Sequence, residues 1–279
     1  MRGDRVYAKA YVEITNICNR NCSFCPGTSR EKRRMTAEEF GHILNELQGK
    51  TKYLYYHLMG EPLSHPLLPE FLNMAAEQGF RSIITTNGTL LPQVGEKLLE
   101  LPLHKINLSI HSFEEGEAQA HRAYLSGCFH FAQRAAERGI LTVFRLWNEG
   151  CDGGLNRQVE DELKAFFGDA WVAERRGTRI RDRIYLEYGA RFAWPDLGAE
   201  DLGQRVYCYG LKDQFGILVD GTVVPCCLDH DGDIPLGNIF DEPLAAILTG
   251  ERAEKLRKGF QNRSVPEALC RRCGYARRF

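Results

Sequence analysis

The sequence predicts an α/β protein in which six β/α units build part of a barrel and a small cysteine-rich unit follows. Three observations lead to this prediction. Strand-like runs alternate with helical patterns up to about residue 190, the strand-like runs have one apolar and one polar face, and five of the ten cysteines lie between residues 208 and 273. Alternating strands and helices favour a parallel sheet.

Six strand-like runs cover residues 10–15, 52–62, 81–88, 105–112, 141–148 and 183–189. Helical patterns lie between them at 36–50, 67–79, 91–101, 129–139 and 156–168. Thr36 followed by Glu39 predicts a capping box at the first helix. Gly79, Gly139 and Gly168 are placed to end three helices.

The polarity of the two strand faces distinguishes a sheet covered by helices on both faces, a closed barrel and a partial barrel. In the second run Leu54 and Tyr56 alternate with Tyr55 and His57. Helices on both faces would require apolar residues on both, and a closed eight-stranded barrel would fill its interior with branched aliphatic residues. A partial (β/α)6, TIM-like barrel explains the alternation, because its outer face is covered by helices and its inner face lines a polar, ligand-binding cavity. The inward residues that we expect to contact substrate are Glu13, His57, His111 and Tyr185. The alternative is that they are interior residues without a chemical role.

The chain changes character after about residue 195. A Gly-, Pro- and Asp-rich stretch at 193–204 predicts a linker, which divides the chain into a barrel domain (1–195) and a second domain (196–279). Two β-branched runs around Asp220-Gly221 predict a hairpin at 215–227. A helix is expected at 242–259, followed by a C-x2-C pair at Cys270 and Cys273.

Composition excludes several classes of protein. The net charge is −1, from 36 basic and 37 acidic residues, so no nucleic-acid footprint is visible and no DNA binding is expected. No apolar run approaches the ~18 residues of a membrane span, and no secretory signal is recognisable. Ten cysteines without such a signal indicate metal-bound thiolates in the reducing cytoplasm.

Three of the cysteines, Cys18, Cys22 and Cys25, follow the first strand in a C-x3-C-x2-C pattern. A closed zinc site or a fully ligated cubane cluster takes four protein ligands. Three thiolates on a four-iron cluster would leave one iron open to a small molecule. A zinc site or structural thiols are the alternatives.

The pattern C-x3-C-x-aromatic-C resembles the signature of the radical S-adenosylmethionine (SAM) enzymes. The resemblance implies that Cys18, Cys22 and Cys25 bind a [4Fe-4S] cluster, that SAM occupies its open iron, and that Phe24 lies beside the adenine. In that family one electron cleaves SAM to methionine and a 5′-deoxyadenosyl radical, which abstracts hydrogen from the substrate. A flavodoxin- or ferredoxin-type donor is the expected source of the electron.

Further motifs extend the resemblance. Residues 59–62 (MGEP) resemble the GGEP motif that receives the SAM amino group, with Met59 in place of the first glycine. That motif acts largely through its backbone, so we expect Met59 to have little effect on the binding of SAM. The cofactor-binding candidates that follow are Gly60, Glu61, Thr85, Asn87, Ser109, Arg145 and Glu187, with Arg145 suited to the SAM carboxylate.

The C-terminal cysteines resemble the SPASM/Twitch extension of these enzymes. Cys208, Gly221 and Cys226 fit its first half, and Cys270 and Cys273 add two ligands. We call Cys208, Cys226, Cys270 and Cys273 the auxiliary cysteines. They predict one auxiliary [4Fe-4S] cluster of the short, Twitch-like form, because the sequence ends at Phe279. Cys227 competes with Cys226 as a ligand, and a structural zinc is the competing metal.

The predicted function is hydrogen abstraction from a polar small molecule, a modified base or a sugar-like compound. Several segments resemble queuine lyases, so queuine is one candidate substrate. The alternatives are a radical dehydrogenase of a cyclitol or sugar alcohol, a ribosomal-peptide maturase, and a non-catalytic iron–sulfur or zinc protein that senses redox state or binds a partner.

Overall fold

The computed structural model describes residues 5–113, 118–175 and 177–278, with Ala118 described by its backbone alone. Its strands are β1 Lys9–Val12, β2 Tyr53–Tyr55, β3 Arg81–Thr86, β4 Leu103–Leu108, β5 Leu141–Glu149, β6 Val172–Glu174, β7 Gly177–Arg181, β8 Ile184–Ala190, β9 Gln214–Ile217, β10 Thr222–Val224 and β11 Gly237–Asn238. These described strands form one sheet in the order β11-β10-β9-β1-β2-β3-β4-β5-β8-β7-β6.

The helices are α1 Ala37–Leu47, α2 Leu68–Glu77, α3 Leu91–Leu98, α4 Ala118–Glu137, α5 Leu155–Phe167, α6 Leu244–Thr249, α7 Glu251–Gln261 and α8 Ala268–Arg271. The predicted capping box is present at α1: Thr36 accepts from the backbone of Glu39, and the Glu39 carboxylate accepts from the backbone of Thr36. In the described part of the chain, no helix is both long and apolar enough to cross a lipid bilayer.

The predicted partial barrel is confirmed. The six predicted strand runs correspond to β1–β5 and β8, and neighbouring strands in this series are parallel. Apolar strand residues on the outer face, such as Val12, Leu54, Ile106 and Phe144, are fully buried in the main hydrophobic core. The opposite face lines a cavity that contains Tyr55, Thr85 and Arg145. This division of faces follows from the period-2 alternation of strands.

The hairpin β9–β10 extends the barrel sheet. Strand β9 pairs in parallel with β1, with Lys9 opposite Gln214 and Val12 opposite Ile217. Strand β10 returns antiparallel to β9 through the turn that contains Asp220 and Gly221. The sheet is therefore continuous across residue 195, where the predicted domain boundary lies, and that boundary stays a prediction.

Two predicted helices differ from the structure, and three strands were missed. The helix predicted at 242–259 is two helices, α6 and α7, because the backbone of Gly250 is extended (φ −61°, ψ 160°). The helix predicted at 129–139 begins at Ala118, where the helical pattern is weak because polar residues are mixed with glycine and serine. The missed strands are short: β6 and β11 are the two edge strands of the sheet, and β7 lies next to β6.

Candidate active site

One cavity of about 1310 Å³ reaches both groups of cysteines. Its lining includes Cys18, Cys22 and Cys25 as well as the four auxiliary cysteines and Cys227. A site for a single drug-sized ligand usually measures about 300–1,000 Å³, so this cavity can hold more than one molecule.

The two cysteine groups lie at opposite ends of β1. Cys18, Cys22 and Cys25 follow the carboxyl end of the strand, in a segment of residues 16–34 that we call the cysteine loop. Cys208 precedes β9, which begins opposite Lys9 at the amino end of β1. Cys226 follows β10 and reaches the same end, because Val224 lies opposite Gly216. A substrate between them would face both groups.

The cysteines form turns suited to thiolate ligands. The Sγ of Cys18 accepts a hydrogen bond from the backbone N–H of Arg20 at 3.4 Å, and the Sγ of Cys208 accepts one from Gly210 at 3.4 Å. Such bonds favour the charged thiolate. Loss of part of the water around the Cys18 thiol raises its pKa although the residue remains exposed, and burial raises the pKa of Cys208 to about 11. Metal binding therefore has to displace protons from these thiols.

The auxiliary cysteines converge on one another. Burial raises the pKa of Cys226, and the nearby thiols of Cys208, Cys227 and Cys270 raise it further. The thiol of Cys227 is hydrogen-bonded to Tyr11, on the inner face of the barrel. No three His, Cys, Asp or Glu side chains in the described ranges are arranged to hold a single metal ion. The donor chemistry and the shared cavity suit the four predicted ligands, and the choice of Cys226 over Cys227 stays a prediction.

The turn at residues 59–62 packs directly against the end of β1. Gly60 has a φ of +77°, and a Cβ at this position would lie 2.2 Å from the carbonyl oxygen of Thr15. The N–H of Glu61 donates to the carbonyl oxygen of Ile17 at 2.9 Å. Met59 does not have a positive φ. A side chain is therefore tolerated at Met59, whereas glycine is required at Gly60.

Glu61 connects this turn to the turn after β3. One carboxylate oxygen accepts from the N–H of Leu63 at 3.0 Å, and the other accepts from the N–H of Asn87 at 2.9 Å. Asn87 in turn donates its side-chain amide to Asn19 of the cysteine loop at 3.0 Å. Glu61 and Asn87 are buried and lie behind the cavity lining. Their contacts hold the cysteine loop and the two turns together.

Glu13 lies behind the cavity wall. Its carboxylate accepts from Arg30 at 2.7 and 2.8 Å, from the N–H of Met59 at 3.0 Å and from the N–H of Val219 at 3.0 Å. Burial raises the pKa of this carboxyl, while Arg30 and the two backbone donors oppose the rise. The predicted substrate contact is thus replaced in the structure by contacts with protein donors, because the strand ends at Val12 and its alternation of faces ends with it.

Phe24, His111 and Arg145 meet on one side of the cavity. The rings of Phe24 and His111 are 5.0 Å apart, and Nδ1 of His111 lies 2.9 Å from the carbonyl oxygen of Arg145. The guanidinium of Arg145 stacks on Trp147 at 4.6 Å and lies 3.7 Å from the carboxylate of Glu187. Thr85 and Ser109 complete this side of the lining. Glu187 and Tyr185, on β8, are not among the described lining residues.

Aromatic rings surround His57 between the two cysteine groups. Tyr11 lies 5.0 Å from Tyr55 and 5.4 Å from His57, measured between ring centroids. The ammonium of Lys9 lies 5.2 Å from the Tyr11 ring and 5.1 Å from the Tyr55 ring. Burial, with the charges of Arg145 and Lys9, lowers the pKa of His57 to about 3. The imidazole is therefore neutral near pH 7.

Sequence reasoning missed several residues of the site. Lys9, Tyr11 and Trp147 line the cavity, and Arg30 binds Glu13. The alternation of β1 was a usable signal for Lys9 and Tyr11, since they share the parity of Glu13. Nothing in the sequence pattern links Arg30 to Glu13.

Comparisons with known proteins show the family to which the chain belongs. Residues 12–145 match the radical SAM superfamily, and residues 208–274 match SPASM, an iron-sulfur cluster-binding domain. A probable GTP 3',8-cyclase from Methanococcus maripaludis is 31% identical over 263 residues, which is 81% of this chain and 87% of that protein. An Fe-coproporphyrin III synthase from Methanosarcina barkeri is 27% identical over 69% of this chain. The chain spans about half the length of that relative (48%) and less of others.

Among solved structures, the chain resembles BtrN in complex with AdoMet and 2-DOIA. The TM-score is 0.60 at 20% identity, over 97% of this chain and 94% of that one. This likeness supports the fold.

The fold and the site define a partial-barrel protein with two groups of cysteines that line one cavity. The chain belongs to the radical SAM superfamily and carries a C-terminal SPASM domain. The membership of the radical SAM enzymes that the sequence motifs predicted is thereby confirmed. The cofactors implied are a [4Fe-4S] cluster with SAM and an auxiliary iron–sulfur cluster, as predicted, and the SPASM match favours iron–sulfur over zinc for the auxiliary cysteines.

Proposed function

We propose that this protein cleaves SAM reductively and uses the 5′-deoxyadenosyl radical to abstract hydrogen from a polar small molecule. The observation that carries the proposal is the single cavity shared by Cys18, Cys22, Cys25 and the auxiliary cysteines. Between the two groups the wall includes polar and aromatic side chains, among them Tyr11, Tyr55 and His57.

The residues of the chain have separate tasks in this proposal. Cys18, Cys22 and Cys25 would hold the cluster, and the backbone of the Gly60 turn would receive the SAM amino group. Phe24, packed on His111, would face the adenine, and Arg145 would bind the SAM carboxylate. The bound cluster supplies the electron that cleaves SAM. Cys18 and Cys25 are exposed, so a flavodoxin or ferredoxin could approach this edge.

The substrate we favour is a modified base or a sugar-like molecule, because the cavity wall offers stacking surfaces and hydrogen-bonding groups. Queuine and cyclitols are the candidates of these classes that the sequence suggests. GTP joins the panel because relatives are named for it. All ten cysteines are free thiols, which suits the reducing cytoplasm.

Isotope transfer tests this proposal. The protein, reconstituted without oxygen and supplied with SAM and dithionite, would be incubated with deuterated queuine, a cyclitol, GTP and a peptide panel. We expect deuterium in 5′-deoxyadenosine with a small molecule. Transfer from peptides alone would contradict the small-molecule proposal and favour a peptide maturase.

A further inference from the structure

Lys9 introduces a positive charge into the cavity. It is the first residue of β1, and its half-buried side chain lies over the rings of Tyr11 and Tyr55. Lys9 pairs with Gln214 at the amino end of β1, the end at which Cys208 precedes β9 and Cys226 follows β10. Its Cα therefore lies at the end of the strand nearest the auxiliary cysteines.

The cavity lining as a whole is basic. Among its described residues two are acidic, Asp213 and Asp229, and six are basic: Lys9, Arg20, Lys32, Lys105, Arg145 and Arg191. Four of the basic residues have another location or task. Arg20 and Lys32 belong to the cysteine loop, Arg191 is exposed, and Arg145 is the predicted partner of SAM. Of the two that remain, Lys9 and Lys105, Lys9 is the one whose ammonium lies over the rings of Tyr11 and Tyr55.

His57 adds a hydrogen-bonding group next to Lys9. The Nδ1 atom of His57 is buried and has no hydrogen-bond partner in the described structure. An unpaired buried polar atom lowers stability unless a ligand pairs with it. His57 and Lys9 both approach the Tyr11 ring, so one small group could contact both side chains.

From these contacts we infer that Lys9 and His57 bind an anionic group of the substrate, a carboxylate or a phosphate. The inference rests on the proposed function, since it assigns the substrate of that site. The anion would lie beside Tyr11, between Lys9 at the amino end of β1 and His57, which lies two residues beyond the partner of Tyr11 on β2. The rest of the substrate would extend towards Cys18, Cys22 and Cys25.

A rival role for Lys9 is to offset the negative charge of the auxiliary thiolates. In that case its replacement would change the electronic properties of the auxiliary cluster and leave ligand preference unchanged. The two roles are separable because one concerns binding and the other concerns the spectrum of the cluster.

The test compares ligands that differ by one anionic group. The affinities for guanosine and guanosine monophosphate are compared to test for binding of a phosphate. The affinities for glucose and glucuronate are compared to test for binding of a carboxylate. Each compound is titrated calorimetrically into the reconstituted full chain with SAM and without reductant. In at least one pair we expect the anionic compound to bind about tenfold more tightly than its neutral counterpart, a difference that one charged hydrogen bond can provide.

The variant Lys9→Met removes the charge and keeps most of the side-chain length. We expect it to reduce the anion preference to about twofold or less. The matched control is Lys212→Met, because Lys212 also lies over two tyrosine rings, at 5.3 and 5.4 Å, but is exposed outside the cavity lining. This control should retain the preference.

An absence of anion preference in every pair would overturn the inference, as would a preference that persists in Lys9→Met. A changed paramagnetic resonance spectrum of the auxiliary cluster in Lys9→Met, with preference retained, would favour the rival role. Because the titration omits reductant, it can succeed even if the protein fails to cleave SAM. A failure of the anion site is thereby distinguished from a failure of the proposed function.

Discussion

The carboxylate of Glu13 accepts two short contacts, 2.7 and 2.8 Å, from a single nitrogen of Arg30. The same carboxylate binds the backbone of Met59 and of Val219. One buried group thus connects β1, the cysteine loop, the turn before Gly60 and the hairpin that leads to Cys226. Asp231 strengthens the link by accepting from Thr28 and Ser29 of the cysteine loop.

The first prediction concerns this buried pair. Glu13→Gln leaves Arg30, whose side chain is 12% exposed, without its counter-charge. We expect the free energy of unfolding to fall by on the order of 3 kcal/mol, as for other broken buried pairs. The measurement is urea unfolding. The control is Glu174→Gln, which breaks the exposed pair with Arg179 and should have little effect. Equal effects in the two variants would contradict the structural role of Glu13.

The second prediction concerns the close approach at Gly60. Gly60→Ala places a Cβ against the carbonyl of Thr15, so the turn has to move and SAM affinity should fall by about tenfold or more. Gly49→Ala is the matched control, because Gly49 has a similar φ of +71° with nothing within 4 Å of an added Cβ. Equilibrium SAM binding measures the difference. The same affinity in both variants would show that the Gly60 turn does not form the SAM site.

The third prediction distinguishes the adjacent cysteines. Cys226→Ser should lower the iron content by about four per chain, the content of one cubane cluster. Cys227→Ser should retain the iron, because the Cys227 thiol is hydrogen-bonded to Tyr11. Iron and sulfide analysis after reconstitution provides the measurement. The reverse pattern would assign the ligand to Cys227.

The fourth prediction is a pH dependence of stability that arises from His57. The folded pKa is lowered to about 3, whereas an unfolded imidazole titrates at its ordinary value of 6.5. The unfolded chain therefore binds the extra proton between these values, and stability falls as the pH is lowered through that window by up to about 1.4 kcal/mol per pH unit. His57→Phe should lose this component in urea unfolding between about pH 7.5 and 5. Parallel curves for the two proteins would contradict the buried, neutral imidazole.

The parallel core and the polar inner face could be predicted because both follow from local periodicity. Tyr55, His57 and Arg145 line the cavity as strand parity predicts. Glu13 differs because β1 ends one residue before it, and its partners Arg30, Met59 and Val219 come from three distant segments. The pairing of β9 with β1 is likewise non-local, since it brings Gln214 beside Lys9. Periodicity within a segment carries no information on such pairings.

The formation of 5′-deoxyadenosine tests the proposed chemistry most directly. The protein would be reconstituted without oxygen, mixed with SAM and dithionite, and compared with Cys22→Ala. We expect 5′-deoxyadenosine from the unaltered protein and none from Cys22→Ala, because Cys22 is one of the three thiols predicted to bind the cluster. Equal amounts from both proteins, or none from the unaltered protein with its clusters intact, would contradict the proposed role of Cys18, Cys22 and Cys25.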